Sequence, residues 1–276
     1  MKAFLDCVAC TLGQALRTVR HCTNDPSVQR RVMHALLAEL AETDLTLTPV
    51  ELGHIAQRIV ASETGVGDPY REARRRSNAE ALALYPRLKA IVRSSEEPLQ
   101  TAAKIAIVGN IIDLGAYGDD YDVEGTLAQL LQSPFGRDDF APFREAVAHA
   151  RTVLYLADNA GEIVFDRVLI EELSGKEITV AVKSQPFIND AMLPDAKQVG
   201  LADIARVIEV PIYPGTTEEF AATWEAADVI VSKGHANYES YDEASGPLFF
   251  LLLAKCDFVA RSAGVSRGEM VLLGNC

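Results

Sequence analysis

Hydrophobic positions change their period along the chain. Up to about residue 95 they recur at helical spacing. "DPSVQRRVMHALLAELAET" places apolar residues three and four apart behind an Asp-Pro start. "LTPVELGHIAQRIVASETG" repeats the format: Thr48 suits a cap, Pro49 the first helical position and Gly65 the stop. "GDPYREARRRSNAEALALYPRLKAIVRSS" opens the same way, at Asp68 and Pro69. The small residues of "PLQTAAKIAIVGNIIDLGAYG" predict a buried helix, and "VEGTLAQLLQS" and "PFREAVAHAR" predict two short ones. Four apolar runs of strand type follow: "TVLYLAD", "EITVAVK", "ARVIEV" and "ADVIVSK", with helix-capable segments between them. That rhythm predicts an α/β protein with a Rossmann-like, mostly parallel sheet and helices on both faces. An all-helical N-terminal region, residues 1–95, precedes the α/β domain, residues 96–276. "FFLLLAK" and "EMVLLG" are expected to add edge strands.

Composition narrows the partners. Among 276 residues, 49% are hydrophobic and 24% charged, which suits a packed globular chain rather than a disordered one. The net charge of −13 repels a phosphate backbone, so nucleic acid is excluded as a general partner. A local basic pocket or a metal ion can still reverse the sign inside a cleft. Asp6 interrupts the first apolar stretch, which argues against a signal peptide. "PLFFLLLAKC" falls far short of the roughly 18 residues of a membrane span, so no membrane partner is expected. The expected location is the cytoplasm, where five cysteines read as thiols or metal ligands rather than disulfides.

In open α/β sheets, ligands bind beyond the carboxyl ends of the strands. Asp158 and Asn159 follow "VLYLA"; Asn189 and Asp190 follow "ITVAVKS" after a short loop; Lys233 and Gly234 follow "DVIVS". Two acid-amide pairs offer hard oxygen donors, which suit Mg²⁺ or Mn²⁺ better than zinc. A lysine beside them completes a site for a phosphoryl group. The simpler reading is helix capping: Asn and Asp are good N-caps, and Glu162 stands three residues after Asn159 as in a capping box. "GNIIDLG" puts Asn110 and Asp113 on one helical face, and Gly109 permits close backbone approach. Cys7 and Cys10 share a helix face and read as packed thiols, half a metal site with Cys22 and His21 nearby, or a redox pair. No thioredoxin-like βαβ setting supports the redox reading. His34, His54 and His149 sit in helical segments and read as structural, whereas His235 is placed to line the cleft.

"GNIID", "LADNAGEIVFD", "INDA" and "SKGHANYES" occur in the order found in the metal-dependent damage-control phosphatases, the family also known as domain of unknown function 89. "CVAC" and "GDPYREARRRSN" resemble its cysteine-pair-containing, mainly prokaryotic branch. The resemblance covers nearly the whole chain. It implies a divalent metal (Mn, Mg, Co or Ni) held by Asp158, Asn159 and Asp190, with Lys233 on the phosphate. It further implies that Asn110, Asp113 and Glu162 line the substrate cleft, Glu162 holding a metal-bound water, and that the substrate is a small phosphorylated metabolite. Lysine is usual in the family where this chain has Arg71, Arg74, Arg75 and Arg76; an arginine also meets phosphate, but a solvated helix face is the plainer reading. Two other functions stand against phosphatase action. One is an S-adenosylmethionine-dependent carboxyl methyltransferase, which lacks support because no G-x-G-x-x-G follows the first strand. The other is a non-catalytic metal- or phosphometabolite-binding protein. These motifs specify no oligomeric state.

Overall fold

The computed structural model describes residues 1–44, 46–109 and 123–275. The helices are α1 (Leu5–Cys22), α2 (Pro26–Glu42), α3 (Pro49–Thr64), α4 (Arg71–Arg93), α5 (Pro98–Gly109), α6 (Val123–Gln132), α7 (Phe140–His149), α8 (Glu162–Glu172), α9 (Leu193–Gln198), α10 (Glu218–Ala226), α11 (Gly234–Tyr241) and α12 (Asp257–Ala263). The strands are β1 (Arg137–Asp138), β2 (Thr152–Leu156), β3 (Glu177–Lys183), β4 (Arg206–Val210), β5 (Val229–Lys233), β6 (Leu248–Leu253) and β7 (Met270–Asn275). No described helix is long and apolar enough to cross a membrane.

Local signals set the early helices. Asp25 caps α2 by accepting the Ser27 N–H at 2.8 Å. Thr48 and Glu51 form a reciprocal capping box on α3, and Gly65 ends that helix with φ 71°. The start of α4 differs from expectation. It begins at Arg71, because the Asp68 carboxylate takes the Arg74 guanidinium instead of backbone N–H groups. α1, α2 and α3 close a small core of their own around Ala15, Val19, Val32, Leu36, Ala56 and Val60. α4 packs elsewhere: Ala81, Leu88 and Val92 join the core on one face of the sheet.

The sheet order is β1-β7-β6-β5-β2-β3-β4, parallel throughout except for the antiparallel β6–β7 pair. Successive β2 side chains alternate faces. Val153 and Tyr155 enter the core shared with α4, α5 and α8, while Leu154 and Leu156 enter the one shared with α10, α11 and α12. Both faces are covered, so β2 reads as a continuous apolar run. β6 and β7 are not edge strands. β6 is buried along its whole length between β5 and β7, and the two-residue β1 continues the sheet past β7. A strand as short as β1 leaves no periodic signal.

The chain runs outward from β2 to β3 and β4, then crosses back to β5 on the other side of β2. The order therefore reverses between β2 and β5, and the region beyond their carboxyl ends is the usual ligand position in such sheets.

A buried acidic site at the strand exits

The segment after β2 makes a tight turn into α8. The Asp158 carbonyl accepts the Ala191 N–H at 2.8 Å, and the Ala160 N–H donates to the Asn189 carbonyl at 2.9 Å. These bonds, with a bridge pairing of Asn159 and Asp190, bring the exits of β2 and β3 together. Asn189 joins the site through its backbone.

Capping does not account for the acid-amide pairs. The N-cap of α8 is Gly161 at φ 77°, and its N–H donates to Asn78 Oδ1 of α4 at 2.7 Å. The Asn159 side chain is a donor instead: its Nδ2 bonds Asp158 Oδ2 at 2.8 Å and Glu162 Oε2 at 2.9 Å. With the amide nitrogen so used, Asn159 Oδ1 is left as an acceptor. α9 likewise starts on Met192, whose N–H donates to Asp195 rather than Asp190.

Asp158, Asp190 and Glu162 are all buried. Burial, reinforced by the charges of Glu162 and Asp190, holds the Asp158 carboxyl well above the usual carboxylate range. Burial pushes Asp190 up to about 7, against the charge of Lys183 and with that of Glu162. Asp190 Oδ2 is buried and has no hydrogen-bond partner among the described residues.

Lys233, at the exit of β5, is 0% exposed. Its ammonium donates to Glu162 Oε1 at 2.6 Å, Asp166 Oδ1 at 2.7 Å and the Ala106 carbonyl of α5 at 2.8 Å. Those three bonds account for all three of its protons. Burial opposes its charge, but Asp166 and Glu162 outweigh that and hold the ammonium above its ordinary range. Asp166 Oδ1 also accepts from the Tyr155 hydroxyl at 2.7 Å, and burial moves Asp166 up to about 6 despite Lys233. Gly234 meets Asp158: a β-carbon there would fall 1.8 Å from Asp158 Oδ2. At the far end of α5, Gly109 lets Phe165 of α8 approach, with 2.7 Å between a built β-carbon and the Phe165 one.

The structure therefore gathers Asp158, Asn159, Asp190, Glu162 and Lys233 in one place. Asn110 and Asp113 lie outside the described residues. His235 Nε2 lies 2.7 Å from the Leu253 carbonyl oxygen and 2.9 Å from the Lys255 backbone nitrogen; burial lowers its pKa to about 4, so it is neutral at pH 7. Of the four arginines, Arg74 is buried and clamps Asp68, Asp195 and the Ile188 carbonyl, while Arg71, Arg75 and Arg76 are on the solvated face. Cys7 is half-buried and accepts the Phe4 N–H, Cys10 is exposed, and neither forms a disulfide.

Sequence reading missed Asp166, Tyr155, Asn78 and Asp195. Asp166 carried one signal: it stands four residues after Glu162 and so shares its face of α8, toward Lys233. Among the described residues, no three His, Cys, Asp or Glu side chains converge as a metal cage. Any cation here relies on two carboxylates and an amide oxygen. That donor set suits a hard ion.

Residues 3–271 match the family described as the damage-control phosphatase ARMT1-like domain. The chain is 33% identical over 287 residues to a damage-control phosphatase of Pyrococcus horikoshii, spanning 100% of this chain and 99% of the relative. It is 34% identical over 284 residues to a damage-control phosphatase of Archaeoglobus fulgidus, spanning 96% of each. The crystal structure of a DUF89 family protein from Pyrococcus horikoshii superposes with a TM-score of 0.91 at 32% identity, covering 100% of both chains.

Proposed function

The chain belongs to the damage-control phosphatase ARMT1-like domain family, and we propose that it acts in the cytoplasm as a divalent-cation-dependent phosphatase on a small phosphorylated metabolite. One observation carries this reading. Four buried carboxylates (Asp158, Glu162, Asp166 and Asp190) gather around one buried ammonium, Lys233, which pairs with Glu162 and Asp166, and two of their oxygens, Asp166 Oδ2 and Asp190 Oδ2, lack a hydrogen-bond partner among the described residues. Such an excess of buried negative charge is costly unless a cation joins it.

Asp158, Asn159 Oδ1 and Asp190 are the groups that would hold the ion. A cation of the Mn²⁺, Mg²⁺, Co²⁺ or Ni²⁺ kind supplies Lewis-acid polarisation of a phosphoryl group there. The protein's residues do the rest. Asn159 is held by Asp158 and Glu162, so its carbonyl oxygen is oriented before any ligand arrives. Lys233 holds Glu162 and Asp166 in place, and its charge favours the ionised form of Asp166. In this reading Glu162 orients the attacking water, and Asn110 and Asp113, which lie outside the described residues, are assigned to the substrate. The turn from β2 into α8 is braced from α4 through Asn78, so the donors stand on a rigid frame.

The test is hydrolysis of a generic aryl phosphate by metal-stripped protein, with each of the four cations added singly. Stimulated hydrolysis is expected. Asp158→Ala should weaken cation binding more than about tenfold, beyond the lower bound for outer-shell substitutions. Hydrolysis absent across a broad panel of small phosphates would reject the reading.

A further inference from the structure

A run of direct hydrogen bonds joins the interior of the sheet to the groups proposed to hold the cation. The Tyr155 hydroxyl, on β2, donates to Asp166 Oδ1 of α8 at 2.7 Å. The Lys233 ammonium donates to that same oxygen at 2.7 Å and to Glu162 Oε1 at 2.6 Å. Glu162 Oε2 accepts from Asn159 Nδ2 at 2.9 Å, and the same amide donates to Asp158 Oδ2 at 2.8 Å. The run leaves β2 at Tyr155, passes through α8 and β5, and returns just past the end of β2. Tyr155, Asp166, Lys233, Glu162 and Asp158 are all buried.

Its inner end decides how firmly it is held. Asp166 Oδ2 is buried with no hydrogen-bond partner among the described residues. Oδ1 takes both donors, so the hydroxyl and the ammonium together stop the carboxyl from turning about its Cβ–Cγ bond. Burial and the charge of Asp166 hold the Tyr155 pKa well above its ordinary value, so the hydroxyl remains a donor. Lys233 has no slack either, since its third proton lies on the Ala106 carbonyl. Glu162 is gripped at both oxygens, by Lys233 and by Asn159. A displacement at Asp166 is therefore passed on to Asn159 and Asp158.

We infer that Tyr155 and Asp166 are positioning residues for the cation donors: they set the place of Lys233 and, through Glu162, that of Asn159 and Asp158. This rests on the cation-dependent phosphatase reading above and names two residues that set the cation affinity within it without touching the ion.

The experiment titrates Mn²⁺ into metal-stripped protein by calorimetry, with thermal melts and aryl phosphate kinetics on the same variants. Tyr155→Phe keeps the ring and deletes only the hydroxyl, and Mn²⁺ affinity should fall about tenfold. Asp166→Asn keeps the shape and removes the charge facing Lys233, and the fall should be nearer about a hundredfold. At saturating Mn²⁺, kcat should fall in both while the KM for the aryl phosphate stays at its wild-type value, since neither side chain meets the substrate. Tyr85→Phe is the control. It deletes the hydroxyl of another tyrosine–carboxylate pair, Tyr85 of α4 and Glu171 of α8. Its Tm should drop, with Mn²⁺ affinity and kcat unchanged. Turnover by the wild type, with Mn²⁺ affinity and kcat untouched in Tyr155→Phe and Asp166→Asn, overturns this inference and leaves the phosphatase reading intact. An equal loss of affinity in Tyr85→Phe marks a general loosening of the fold and also overturns it. Mn²⁺ affinity that depends on Tyr155 and Asp166, without turnover in the wild type, supports the inference and overturns the phosphatase reading. A wild type that neither binds Mn²⁺ nor turns over overturns both.

Discussion

Gly234→Ala separates the geometry of the site from the stability of the fold. The new β-carbon would lie 1.8 Å from Asp158 Oδ2 and 2.2 Å from its Cγ, where ordinary contact begins at 3.4 Å. Asp158 or the start of α11 must therefore retreat by roughly 1.5 Å, and a misplacement of about 1 Å typically costs about a hundredfold in rate. Gly234 also has φ 76°, a conformation that costs a residue with a β-carbon about 1–2 kcal/mol. Gly65→Ala is the matched control: φ is 71° and nothing lies within 4 Å of the added carbon. The control should lose about 2–8 °C in Tm from backbone strain alone, with cation binding and turnover unchanged. Gly234→Ala should lose at least that much, together with about a hundredfold in kcat/KM and a clear fall in cation affinity. The assay pairs thermal unfolding with Mn²⁺ titration and aryl phosphate turnover for both variants. If Gly234→Ala binds the cation and turns over like the wild type, the packing of Gly234 on Asp158 has no bearing on the site.

Two further outcomes follow from the surrounding charges. Arg74→Met removes the ion-pair partner of Asp195 and the closer of the two arginines on Asp68, Arg71 remaining at 3.5 Å; about 3 kcal/mol of stability should be lost, whereas exposed Arg75→Ala should stay within about 0.5 kcal/mol. Equal Tm values for these two variants in thermal melts would refute the clamp. Asp190 is raised from 3.8 to about 7, so without a cation its contribution to stability is complete below pH 3.8 and is lost as pH climbs through about 7. A divalent cation requires the ionised form, so Mn²⁺ should raise Tm more at pH 8 than at pH 5.5. Equal shifts at the two pH values would exclude Asp190 from the cation site.

The sequence by itself determined what is local. Period and caps placed α2 and α3, because Asp25, Thr48 and Gly65 act within a few residues of themselves. Four apolar runs gave β2 to β5, and the polar residues just beyond them gave Asp158, Asn159, Asp190 and Lys233, since a strand presents its exit to the ligand crevice. Tertiary structure decided which partner each residue takes. The apolar run "LFFLLL" was a sign of an interior strand, but β7 is kept from the edge only by β1, which is far away in the chain and only two residues long. Lys233 reaches Asp166 across 67 residues, Gly161 reaches Asn78 across 83, and Arg74 reaches Asp195 across 121. No short-range pattern encodes such pairs, because burial and packing of the whole chain set them. The same packing decides that Lys233 is enclosed and Lys255 exposed, a difference between two strand-end lysines that their sequence neighbours do not reveal.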